Sequence, residues 1–277
     1  MVDEMNELQK LNFDVAKEPI AIARTGEVID GRFAIVRKDT KTTLGIVSKD
    51  YRIIKHGDAM ANPAKVLIGE GYEIVTSYQS DCGARVILEL RSKDITKING
   101  DNYKTRLYLL NSYDGSTSLR MEFGFFRLTC LNGAGYNAKE KDVISIAHIG
   151  NDKLFDKDIV LNFLNVRENY IKSFAEIVKK LGDYRLTKDE DAVNVLEKLE
   201  FGKRTIKNII NEWKKDINYS PTLYGLYNGI TSLWTRKIEK PDKKERGVGN
   251  RVMHAQWVTN MAIHKMYELA IPKGRVF

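Results

Sequence analysis

The hydrophobic period of this chain changes once, near residue 150, and that change constrains its fold more than any motif does. From about residue 31 to 130, apolar and polar residues alternate in short runs: RFAIVRK, TTLGIVS, YEIVTSY, ARVILELRS, TRLYLLNS and SLRMEFGFFRLT. This is the period of strands with one buried face. Turn chemistry separates them at Gly31, Lys38-Asp39, Asp81-Cys82-Gly83, Asn99-Gly100 and Asp114-Gly115. One helix interrupts the series over residues 57–69, where Pro63 predicts either a kink or a start at Asn62-Pro63. After about residue 153 the spacing becomes three to four, and Ile159, Phe163, Val166, Tyr170, Phe174, Ile177 and Leu181 predict one long amphipathic helix. Ile206, Ile209, Ile210, Trp213 and Ile217 predict a second. A third opens at Ser220-Pro221, a cap followed by a first-turn proline, and a fourth runs from about Gly249 to Leu269.

Strands first and helices afterwards make an α+β protein, an N-terminal antiparallel β-meander with a short helix and a C-terminal helical region packed on one face of it. The expected divisions are an extension over residues 1–30, a β-rich core over 31–150 and a helical region over 151–277, joined in one continuous unit. A chain of 277 residues, 43% apolar, is long enough to bury a sizeable core.

The hairpin of residues 105–133 tests the meander. A two-residue turn at Asp114-Gly115 sets Leu107 beside Glu122 and Leu109 beside Arg120, so neither face is clean. A three-residue loop, Tyr113-Asp114-Gly115 with Gly115 left-handed, sets Leu109 opposite Leu119, Leu107 opposite Met121 and Thr105 opposite Phe123. The other face then carries Tyr108 against Arg120, Arg106 against Glu122 and Lys104 near Gly124. On the strand GARVILELRS the same face holds Arg85, Glu89 and Arg91. Arg85, Arg91, Lys104, Arg106, Tyr108 and Arg120 are therefore expected on one outer sheet face. Such a face serves either as an ordinary solvated surface or as a grip on single-stranded nucleic acid, with cations for phosphates and tyrosine for stacking.

Lys and Arg outnumber Asp and Glu by 45 to 37, a net charge of +8 with a pI near 9.2. That is a moderate bias toward polyanionic partners. Half of it lies in residues 236–251, RKIEKPDKKERGVGNR, where seven cations oppose three carboxylates. Lys240, Lys243, Lys244, Arg246 and Arg251 belong to this segment, expected to be exposed and to contact phosphates as a clamp beside the sheet face.

Several chemistries find little footing. No run approaches the ~18 apolar residues of a membrane span, and the polar, acidic start MVDEMNELQKLNFD is unlike a secretory signal, so a soluble cytoplasmic protein with no membrane partner is expected. Cys82 and Cys130 stand alone, which argues against a thiolate zinc site and for buried thiols. Asn111, Asp114, Ser116 and Asn132 offer oxygens to a hard cation, yet Asp and Ser at a hairpin tip are usually turn formers. His148 in ISIAHIGN reads as a satisfied polar group at a strand end, and GVGN at 247–250 lacks the context of a phosphate loop. No metal or cofactor and no catalytic constellation is expected.

The order LYLLNSYDGSTSLRMEFGFFRLTCLNG, ISIAHIGN, SPTLYGLYNGITSLW resembles the phage/plasmid-like protein family catalogued as domain of unknown function 932 (DUF932), over roughly residues 44–270. The match rests on DYRIIKHGDAM before a short helix, an Asn-x-x-Asp-Gly-Ser hairpin, an Arg-x-x-Cys-x-Asn ending and a Tyr-Asn helix. Asn111, Asp114, Gly115, Ser116, Arg127, Cys130, Asn132, His148 and Asn228 occupy the pattern positions, to which the resemblance assigns no role. LNGAG departs from the usual Asn-Thr-Leu, so no helix carries over directly after Asn132. The resemblance implies a gene of a phage, prophage or plasmid. The order of helix, meander and helix also looks like the core of single-strand annealing proteins of the Sak, Erf and RecT type, by architecture alone. Together these give the expectation of a nucleic-acid-binding protein acting on single-stranded DNA in recombination or replication, by annealing, as a homo-oligomer and without a catalytic residue. Two alternatives stand beside it: an interaction protein that inhibits a host enzyme or defence system, and a metal-dependent hydrolase around Asn111, Asp114 and His148.

Overall fold

The computed structural model describes residues 2–80, 82–128, 132–135, 143–150, 154–216, 219–239 and 248–271. Helix α1 (Val2–Gln9) leads into a three-stranded antiparallel sheet of β1 (Val15–Ala21), β2 (Val28–Arg37) and β3 (Thr43–Ser48), so part of the expected N-terminal extension is sheet. Helix α2 (His56–Gly69) follows. It starts at His56 and carries Pro63 inside, so it does not begin at Asn62-Pro63. Ala59, Met60, Ala64 and Leu67 form its buried stripe at helical spacing.

The main sheet contains β4 (Tyr72–Gln79), β5 (Arg85–Ser92), β6 (Thr96–Ile98), β7 (Asp101–Ser112), β8 (Leu119–Arg127), β9 (Asn132–Gly135) and β10 (Val143–Ile146). Its order is β10-β8-β7-β5-β4, with β6 paired to β7 and β9 to β8. After Asn132 the chain is thus strand and not helix.

The β7–β8 register corrects the expected one by two residues. Leu109 faces Met121, Leu107 faces Phe123 and Thr105 faces Phe125, while Tyr108 faces Glu122 and Arg106 faces Gly124. Residues 113–118 make the connection, longer than three, because Ser112 Oγ donates to Thr117 O at 2.8 Å and accepts from its N–H at 3.2 Å. A shift of two keeps every side chain on its expected face. Gly115 is left-handed as expected, with φ +70°.

The apolar face, Leu88, Leu90, Leu107, Leu109, Met121, Phe123 and Phe125, belongs to one large core with the helices. The expected long helix divides at residues 165–166 into α3 (Lys157–Leu164) and α4 (Arg167–Asp183). The Asp156 carboxylate caps α3 by accepting from Ile159 N at 2.8 Å. The two helices lay an aromatic stack on the sheet: Phe123 on Phe163 at 4.5 Å, and Phe125 on Tyr170 at 4.8 Å and on Phe174 at 4.0 Å. Truncating a ring as enclosed as Phe125 costs ~3–5 kcal/mol.

Helix α5 (Asp189–Lys198), absent from the expectation, precedes α6 (Lys203–Lys215), α7 (Leu223–Glu239) and α8 (Val248–Ala270). Helices α6 and α7 form an antiparallel pair in close contact. A Cβ at Gly229 of α7 would lie 2.8 Å from Trp213 Cβ and 3.0 Å from Ile209 O, so only glycine admits this approach. The helical region does not leave the second sheet face open. Val252 of α8 packs with Ile87, Tyr108 and Leu110 on that face.

Candidate nucleic-acid interface

The basic sheet face exists as a row of neighbours, but it is closed at its centre. Arg106 and Tyr108, expected to meet phosphates and bases, are only 5% and 4% exposed. Arg106 Nη2 donates to Gln256 Oε1 of α8 at 2.9 Å, and its guanidinium lies 4.5 Å from the Tyr108 ring centre. Period-two alternation tells which side chains share a face and says nothing of what covers them, which is why the expectation of a wet face does not hold at its centre.

Around that centre each cation has a carboxylate. Arg85 meets Asp114 at 2.7 Å, Arg91 meets Glu89 at 2.7 Å, Lys104 meets Glu73 at 2.9 Å and Arg120 meets Glu122 at 3.0 Å. Arg91 also lies 3.5 Å over the Phe126 ring. Glu89 accepts from Tyr78 Oη at 3.1 Å as well. Burial raises the Glu122 carboxyl above its ordinary range, against the pull of Arg120 and Arg106. A row of cations each paired within the protein is a structural network, since each phosphate contact would first have to displace a carboxylate.

Most of the described family-pattern residues lie in two places. Asn111, Asp114, Gly115, Ser116 and His148 gather where the small sheet meets the β7–β8 tip. Asp114 Oδ1 accepts from Ser116 N at 2.9 Å, so these two residues form the turn. Burial opposes the Asp114 carboxylate, but its bonds to Ser116 and Arg85 outweigh it and lower the pKa. Asn111 is fully buried and donates to Ile54 O at 2.8 Å. The His148 ring stacks on Tyr51 at 4.8 Å, and its Nδ1 is 3.1 Å from Arg52 O. Burial lowers its pKa. Among the described residues no group of three His, Cys, Asp or Glu side chains is placed to hold a metal ion.

Arg127 forms the second place. Its guanidinium meets Asp101 through Nε at 3.0 Å and Nη2 at 3.1 Å, and Asp216 through Nη1 at 3.1 Å. Tyr224 Oη also donates to Asp101, at 3.0 Å. This network ties β7 and β8 to α7 and to the residue after α6. The backbone of Asn132 pairs with Arg127. Asn228 is buried on α7, where its carbonyl accepts from Thr231 Oγ1 at 3.0 Å. Cys82 is half-buried with a free thiol, and Cys130 lies outside the described residues.

Lys240, Lys243, Lys244 and Arg246 also lie outside the described residues, while Arg251 sits half-buried on α8. A described helix with an exposed positive face is α6. Its inner stripe is Ile206, Ile209 and Trp213, at i, i+3 and i+7. Its exposed side chains are Lys203, Arg204, Lys207, Asn208, Asn211, Lys214 and Lys215, with no carboxylate among them. The helix's one acid, Glu212, is half-buried and accepts from Ser232 Oγ at 3.0 Å. Lys214 pairs with Asp189 of α5. Phe201, two residues before α6, packs on Trp234 of α7 with ring centres 5.5 Å apart. The Lys203 end of α6 therefore lies toward the C-terminal end of α7. Sequence reading missed this face because it weighed only the apolar members of the helix; the spacing of its cations carries the signal.

Among the described residues no helix is long and apolar enough to cross a membrane. No curated protein and no solved structure matches the chain. A family model described as Domain of unknown function (DUF932) matches residues 43–257, most of the chain, which therefore belongs to that family.

Proposed function

We propose that this protein binds nucleic acid through its phosphates, with the basic face of α6 as the contact surface and the cations in the sequence 236–251 as further phosphate contacts. The observation that carries the reading is the composition of that face, on which every exposed side chain is Lys, Arg or Asn. Lys and Arg neutralise phosphates and release counterions, and asparagine adds hydrogen bonds to phosphate oxygens. The sheet face, with its internal carboxylates, is left out of the interface. In the mobile-element setting implied by the family resemblance, such binding serves single-stranded DNA during replication or recombination. Strand annealing fits it, because backbone capture leaves base edges free to pair.

Titration of labelled single- and double-stranded oligonucleotides at two salt concentrations tests the proposal. Binding should weaken with salt. Changing Lys203, Arg204 and Lys207 to Gln together should flatten the dependence by roughly one unit of slope for each phosphate that is no longer neutralised. A solvated face that only keeps the protein in solution predicts an unchanged slope in that variant. Absence of binding at low salt would refute the proposal.

A further inference from the structure

A groove of about 330 Å³ opens beside the basic face of α6, within the size range of small-molecule sites. Thr205 of α6 lines it, with Lys203, Arg204 and Lys207 on either side in the chain. Phe201 and Trp234 contribute apolar wall, and His254 and Trp257 of α8 stand along it. His254 and Trp257, one helical turn apart, stack with ring centres 5.9 Å apart and an interplanar angle of 23°. Trp257 is 62% exposed, whereas Trp213 and Trp234 are 1% and 5% exposed. An indole exposed to water in a groove, with a second ring aligned to it, is a flat stacking surface without an occupant among the described residues.

We infer that this groove takes an unpaired nucleobase of single-stranded DNA, stacked on Trp257, while the phosphates on either side of that base meet the cations of α6. The inference rests on the phosphate-binding reading above and deepens it, because a base that is paired and stacked in a duplex cannot present its face to Trp257. Charge complementarity selects this occupant. The lining carboxylate is Glu200, and Lys265 lies 3.5 Å from it. One wall of the groove is α6, whose exposed residues carry Lys and Arg and no carboxylate, so a polyanion is drawn to this side of the protein, while a second copy of this chain, itself at +8, is not. Stacking on an aromatic side chain is tolerant of sequence, since every base has a π-face. The groove thus supplies preference for single strands without preference for sequence.

The experiment compares an oligo-dT with an abasic oligomer carrying the same number of phosphates, each end-labelled, against the intact chain and its Trp257→Ala and Trp257→Phe variants. Anisotropy reads binding and tryptophan fluorescence reads stacking. The inference expects oligo-dT to quench the emission of the exposed tryptophan and the abasic oligomer to bind without quenching. It expects Trp257→Ala to weaken oligo-dT binding about tenfold, with the abasic oligomer unaffected, and Trp257→Phe to restore most of the affinity. Equal affinity for both oligomers with no quenching would overturn the inference while leaving the phosphate-binding reading intact. Failure of both oligomers to bind at low salt would overturn the two together.

Discussion

Asn111 on β7 and His56 at the start of α2 meet through a 2.9 Å contact between Asn111 Nδ2 and His56 Nδ1. An amide nitrogen only donates, so Nδ1 is the acceptor and the proton sits on Nε2. From there it is donated to Gly83 O at 3.0 Å. The His56 backbone N–H in turn donates to Tyr113 Oη at 2.9 Å, and the two rings lie 3.8 Å apart. A neutral histidine thus joins α2 to the loop before β5 and to the hairpin tip.

That arrangement makes stability depend on pH. Burial pulls the His56 pKa from 6.5 down to about 3, only partly offset by the bond to Gly83. Between these values the unfolded chain takes up a proton that the folded chain refuses. The contribution of this group is complete above pH 6.5 and falls with decreasing pH by about 1.4 kcal/mol per unit. His56→Gln keeps a donor toward Gly83 and removes the titration. Urea unfolding at pH 7, 6 and 5 should show a steeper loss in the native chain than in the variant, and parallel losses would exclude the mechanism.

Removing the centre of the Arg127 network should be severe. Arg127→Met leaves Asp101 and Asp216 buried without their shared cation, at a cost of ~3–5 kcal/mol. Arg127→Lys should recover little, because an ammonium lacks the fork that meets Asp101 through two nitrogens. Denaturant midpoints check both, and a Lys variant as stable as the native chain would contradict the geometric argument.

Gly115 tests the hairpin independently of function. At φ +70° a β-branched residue is strained, so Gly115→Val should destabilise by more than ~1 kcal/mol. Thermal unfolding of the variant reads the loss, and a Tm within error of the native value would mean the tip relaxes freely.

The closed sheet face and the open helix face predict opposite behaviour. Lys104→Gln breaks a half-exposed pair with Glu73, worth under ~1 kcal/mol, and should leave oligonucleotide affinity and salt slope unchanged. Changing Lys240, Lys243, Lys244 and Arg246 together to Gln should weaken binding and lower the slope without altering sequence preference, since phosphate contacts carry none. If Lys104→Gln alters the slope and the quadruple variant does not, the interface belongs back on the sheet.

Much of this protein was legible in its sequence, because period and turn chemistry are local properties. Alternation along TRLYLLNS and SLRMEFGFFRLT put Leu107, Leu109, Phe123 and Phe125 on one face, and the parity held even though the partners moved by two. The left-handed Gly115 and the positions of α6 and α8 were legible for the same reason. The tertiary structure alone decided what that local pattern leaves open. The length of the hairpin connection came from side-chain bonds of Ser112, and the break between α3 and α4 falls inside an unbroken apolar period. The cover over Arg106 comes from Gln256, 150 positions away, and His56 finds Asn111 across 55. Such pairings are set by which buried groups must satisfy one another once the chain is compact, and no window of neighbouring residues contains that requirement.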